Sequence, residues 1–114
     1  MEIIESLLKS AYEDTQLLLK NDSLGDQFST PRDVDFLLIA ENEHKASLVC
    51  AFINDNRYGT ARVEQSGEEF NITAVIRMPV EQNILCSVSG LMTCIGAIFG
   101  VEYDGWGCVL KKGG

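Results

Sequence analysis

VEYDGWGCVL, from Val101 to Leu110, reads as a β-strand, and its reading decides the fold. Simple alternation sends Val101, Tyr103, Gly105, Gly107 and Val109 to one side and Glu102, Asp104, Trp106, Cys108 and Leu110 to the other. Two glycines spaced two apart cost conformational entropy and remove side-chain packing. Either a neighbour approaches that face closely, or the strand kinks. Trp106, the only tryptophan, shares its side with two acids. That setting suits an anchor for a protein partner, and equally a ring covering a hydrophobic gap.

Upstream lies a helix opened by Pro79, whose fixed φ favours a first turn, and closed by Gly100. Its apolar stripe is Ile84, Val88, Leu91, Met92, Ile95 and Phe99. No charge occurs from Gln82 to Val101, a span long enough for a bilayer, and Gly96 and Gly100 have Gly-x-x-x-Gly spacing. Five polar residues inside it, and flanks of Glu81 and Glu102 without Lys or Arg, favour a helix of a soluble domain. Before it, Glu69–Met78 alternates cleanly and Gly59–Gln65 is a short partner strand. Ser66-Gly67 turns between them as a hairpin. A helix from Asn42, an N-cap residue, to Asp55 precedes the hairpin, and a strand from Asp33 to Ala40 precedes that helix. Residues 21–31 form a polar connection. Ile3, Ile4, Leu7, Leu8, Ala11, Leu18 and Leu19 recur at helical spacing before it.

The order is one helix (residues 1–25) and then βαββαβ (residues 32–110) within a single domain, 1–114. The fold class is α+β: a ferredoxin-like βαββαβ sandwich with a four-stranded antiparallel sheet, preceded by an N-terminal helix. In that topology the first and last strands are neighbours, which predicts Asp33 and Asp35 near Glu102 and Asp104. The N-terminal helix needs an apolar seat. The choices are the small-residue face of the third helix (Ser87, Gly90, Thr93, Ala97), the open sheet face, or another subunit.

Nine basic against 17 acidic residues give a formal charge of −8, which disfavours binding along a phosphate backbone and suits a basic partner. The acidity is concentrated early, with 11 acids and 4 bases in residues 1–56. Cys50, Cys86, Cys94 and Cys108 form no Cys-x-x-Cys pair, and His44 is the only histidine, so no zinc site of the usual spacing arises. Apolar surroundings for all four predict free thiols and a reducing, cytoplasmic setting. The start, Met-Glu-Ile-Ile-Glu-Ser, lacks the pattern of a signal peptide. No phosphate-binding loop, nucleophile elbow or metalloprotease motif is present. Carboxylates can bind a hard cation, but the acids here read as solvated surface, and no cofactor or metal is expected.

Val101-Glu-Tyr-Asp-Gly-Trp-Gly107 is similar to the closing motif of the regulator of ribonuclease activity B family, also labelled ribonuclease E inhibitor B. The N-terminal helix, the Asp-rich first strand with Val34-Asp-Phe-Leu37, the βαββαβ order and the acidic balance resemble that family over most of the chain. The resemblance implies a cytoplasmic, non-catalytic protein that binds ribonuclease E and restrains RNA cleavage. Members often carry a long acidic C-terminal tail, whereas this sequence closes on Lys111-Lys112-Gly113-Gly114. The residues expected to meet a basic protein partner are Asp33, Asp35, Glu102, Asp104 and Trp106, with Tyr103, Gly105 and Gly107 as the structural part of the motif. The alternative is a small-molecule-binding or dimerising ferredoxin-like module. A homodimer would use the last-strand glycines and the uncharged face of the third helix.

Overall fold

The computed structural model describes residues 2–111. In chain order its elements are α1 (Ile3–Ser23), β1 (Arg32–Ala40), α2 (Glu43–Asp55), β2 (Thr60–Ser66), β3 (Glu69–Met78), α3 (Gln82–Phe99) and β4 (Glu102–Cys108). The sheet order is β2-β3-β1-β4 with every pairing antiparallel, as a split βαβ pair requires. Residues 112–114 of the expected tail lie outside the described residues.

Alternation in β1 sets the core. Val34, Phe36, Leu38 and Ala40 are buried, as are Ala74 and Ile72 opposite Phe36 and Leu38 on β3, and Met78 opposite Arg32. Ala46, Val49 and Ile53 of α2 and Leu85, Met92 and Ile95 of α3 complete the core from one side of the sheet. The opposite sheet face carries Asp33, Asp35, Leu37 and Ile39 of β1 beside Arg77, Val75, Thr73 and Asn71 of β3. Asn42 caps α2 as its residue type predicts: Oδ1 accepts from the Lys45 amide at 2.9 Å.

Two helix readings shift. α3 begins at Gln82, so Pro79 lies in the approach and not in the first turn. There the buried Val80 donates its amide to the Phe28 carbonyl at 2.9 Å, tying the approach to the early connection. The buried line of α3 is Leu85, Ser89, Met92, Ile95 and Gly96; Ile84, Val88, Leu91 and Phe99 are only partly buried. α3 packs on the sheet and also receives α1, so its most enclosed line falls where small and polar side chains admit that neighbour. The Gly-x-x-x-Gly spacing serves the turn into β4. Gly100 closes α3 at φ +71°, and a Cβ on Gly96 would stand 2.7 Å from the Val101 carbonyl oxygen. α3 is long and apolar enough to cross a membrane by length and composition; here it lies against the sheet.

α1 takes the small-residue face of α3. A Cβ on Gly90 would lie 3.6 Å from Leu7 Cδ2, and Gln82 Nε2 donates to Thr15 Oγ1 at 3.1 Å. α1 thus covers the Gly90 part of that face within the chain, while Ser87 and Ala97 remain exposed. The buried residues of α1 are Asp14, Leu18 and Asn21, while Ile4, Leu8, Tyr12 and Leu19 remain exposed. Its inward face is thus more polar than the apolar spacing predicts.

The connection from α1 to β1 is more than a polar loop. The Arg32 side chain, 1% exposed, donates through Nη1 to both Asp26 carboxylate oxygens (2.7 and 2.9 Å) and to the Val109 carbonyl (3.2 Å). Nη2 donates to the Gln27 carbonyl and Nε to the Thr30 carbonyl. The Lys111 amide donates to Asp26 Oδ1 at 3.0 Å. One guanidinium thereby clamps the start of β1, the preceding loop and the chain beyond β4.

Candidate functional site

β4 does not alternate simply. Phe36 faces Trp106 and Leu38 faces Tyr103, so two steps on β1 span three on β4. The extra residue is a β-bulge, and Gly105 supplies the positive φ (+99°) that it needs. Nothing lies within 4 Å of a Cβ built on Gly105 or Gly107. Of the two readings of the paired glycines, the kink is realised at Gly105 and the close approach is not. The structure gives no steric reason for Gly107.

The bulge changes which side chains share a side, because one inserted residue reverses the alternation beyond it. Tyr103, Trp106 and Cys108 pair with the buried Leu38, Phe36 and Val34, so all three turn toward the helices. Trp106 therefore does not share a face with Glu102 and Asp104 as simple alternation predicts. It is partly buried among the core residues, and its Nε1 donates to Asp14 Oδ1 of α1 at 2.9 Å. Tyr103 Oη and Ser89 Oγ are 2.8 Å apart, linking β4 to α3.

Asp14 is the centre of this polar seam and is only 3% exposed. Its second oxygen, Oδ2, has no hydrogen-bond donor among the described residues, and neither has Ser10 Oγ one turn earlier in α1. Burial pushes the Asp14 carboxyl above its ordinary pKa of 3.8. Nearby Ser89, the Trp106 indole N–H and Cys86 oppose that rise, and the charge of Glu13 adds to it. Burial likewise raises the Cys86 thiol and, more strongly, the Tyr103 hydroxyl, each with the Asp14 charge contributing. Both stay protonated at neutral pH and can serve as neutral hydrogen-bonding groups.

The expected acidic cluster is divided. Asp35 lies opposite Gly107, whereas Glu102 lies opposite Ile39, four residues further along β1. That is roughly 13 Å of extended strand. An antiparallel register places the beginning of one strand against the end of the other, so Asp33 and Glu102 stand at opposite ends. Asp35 and Asp104 do meet, around a shallow depression of about 300 Å³ shared with Leu37, Arg62 and Thr73. Asp33 pairs instead with Arg77 at 3.6 Å, both well exposed. Among the described residues no three acidic, histidine or cysteine side chains are placed to hold a metal ion.

A larger cleft of about 700 Å³ opens between the first half of α1, the end of α3 and the bulged segment of β4. Asp14, Trp106, Tyr103, Glu102 and Asp104 all line it. The four exposed acids thus divide between two surfaces, the open sheet face and this cleft, with Asp104 and Trp106 touching both.

Fold and site together define a small ferredoxin-like α+β domain whose last strand is bulged to meet an added N-terminal helix. A sequence model of the family described as regulator of ribonuclease activity B matches residues 11–108, and the chain belongs to that family. No curated protein matches the chain. The matched span includes Asp14, Asp26, Arg32, Tyr103 and Trp106. Sequence reasoning missed the first three. Asp14 sits among apolar helical positions where a polar residue signals a buried partner, and that was the available sign.

Proposed function

We propose that this chain regulates ribonuclease activity by binding ribonuclease E and restraining RNA cleavage, without catalysing a reaction itself. Membership of the regulator family carries this reading. The charge of −8 supports it, because an acidic surface attracts a basic protein and repels RNA. The contact surface is the exposed carboxylates Asp33, Asp35, Glu102 and Asp104. Trp106, partly buried and tied to Asp14 of α1, contributes what of its side chain remains exposed.

Titration of immobilised ribonuclease E with the full chain tests this directly. Binding is expected at low salt, weakening as ionic strength rises toward the point where the screening length is about 10 Å. Cleavage of a model RNA should slow in parallel. Asp35→Asn with Asp104→Asn should weaken binding roughly tenfold, mainly through association rate. Absence of binding at low salt rejects the reading.

A further inference from the structure

The cleft under α1 is lined by Glu13, Asp14, Glu41, Glu69, Glu102 and Asp104 and, among the described residues, by a single base, Lys9. Lys9 is committed to Glu13 of its own helix at 3.8 Å, with both side chains more than half exposed. At about 700 Å³ the cleft lies in the range of small-ligand sites. Acidic lining alone would be ordinary surface. Asp14 makes the difference: it lines the cleft, it is 3% exposed, and although Ser89 and Cys86 lie close to it, one of its oxygens has no donor in hydrogen-bond geometry among the described residues. A buried carboxylate in that condition is costly unless a cation or N–H donor completes it. Ser10 Oγ, also without a partner, lines the same cleft. Trp106 is beside them, and an indole is the aromatic ring that attracts organic cations best.

We infer that this cleft binds an organic cation, a guanidinium or primary ammonium group received by the Asp14 carboxylate beside Trp106 and drawn in by the acidic rim. Several N–H donors suit the seam, where one carboxylate oxygen and one hydroxyl lack partners; a bare metal ion suits it less, because among the described residues no three ligands converge. The site stands independently of the ribonuclease reading. A free amine and an arginine side chain of a protein present the same chemistry.

Trp106 is the only tryptophan, so its emission and its indole N–H resonance report the site alone. The full chain is titrated with arginine amide, spermidine, a tetra-arginine peptide and, as the uncharged analogue, citrulline amide. Saturable changes are expected with the cations and not with citrulline amide. Asp14→Asn keeps an oxygen acceptor for the Trp106 indole but removes the charge, and it should weaken cation binding roughly tenfold or more. The Asp104→Asn variant, on the rim, should weaken it only about two- to threefold. Tighter binding of tetra-arginine than of arginine amide identifies a protein side chain as the source. Equal or weaker binding identifies a small molecule, and either result upholds the cation site. No saturable change with any probe up to about 50 mM, a concentration that detects even millimolar affinity, overturns it. So does unchanged affinity in Asp14→Asn. Should that variant fail to fold, the wild-type indole N–H titration decides alone.

Discussion

Asp26 and Asp14 are both buried aspartates, and the environment completes only one of them. Asp26 receives two bonds from Arg32 and one from the Lys111 amide, with the partner guanidinium equally enclosed. Among the described residues Asp14 Oδ1 receives a bond from Trp106 at 2.9 Å, and its other oxygen has no donor in hydrogen-bond geometry. The first arrangement closes the fold: both oxygens that burial strips of solvent are partnered. The second is open, and it lies on a cleft. A fully partnered buried acid is architecture, while a half-partnered one beside a cavity is a candidate for binding. Both conditions come from where the last strand is held, by Arg32 at its far end and by the Gly105 bulge in its middle.

The largest expected effect comes from opening the closed site. Arg32→Ala leaves Asp26 buried without its cation, and urea denaturation should show a loss of about 3–5 kcal/mol. Replacing the pair together, Arg32→Met with Asp26→Leu, should recover much of it, since the cost lies in the unpaired charge. A double variant as unstable as the single one would mean the clamp acts through its carbonyl bonds and not through charge.

Next is Trp106→Phe, which removes the indole donor from Asp14. Loss of a charge-assisted bond predicts about 1.5–3 kcal/mol of destabilisation by the same measurement. Gly105→Ala follows at about 1–2 kcal/mol, because an L side chain at φ +99° is strained. It should also disturb the Trp106 indole N–H resonance, since the bulge is what turns the ring inward. A Gly105→Ala protein with native stability and an unchanged indole signal would detach the bulge from the seam.

The contrast also explains what was legible in the sequence. The sheet, its hairpin and α2 followed from period-two and period-3.6 patterning and from Asn42, because each is specified by its own residues. The facing of Trp106 was not legible: it depends on a single inserted residue, and the glycine that signals a kink does not say where the alternation reverses. Neighbouring of the four acids failed for a related reason, since strand order was right but register sets which ends meet. Buried polar pairs across 6 and 92 positions, Asp26 with Arg32 and Asp14 with Trp106, leave no periodic trace. They arise where α1 and the chain beyond β4 pack against the rest of the fold.

The smallest effect sharpens the comparison most. The Asp14 carboxyl is held above 3.8 by burial first, so the folded state takes up its proton more readily than the unfolded state does. Stability from this group therefore falls as pH rises from 3.8 through the folded value, and the loss persists at neutral pH. Asp14→Asn lacks that loss. The variant should be slightly more stable than wild type at pH 7, and the difference should shrink as pH is lowered through this window in matched urea titrations. Subtracting one protein from the other removes the contribution of the remaining acids, which both share. A more stable variant that no longer responds to cations would mark Asp14 as a group kept at a cost to the fold. If Asp14→Asn is instead less stable than wild type at neutral pH, Asp14 is an anchor of the same kind as Asp26, and the distinction between the two sites collapses.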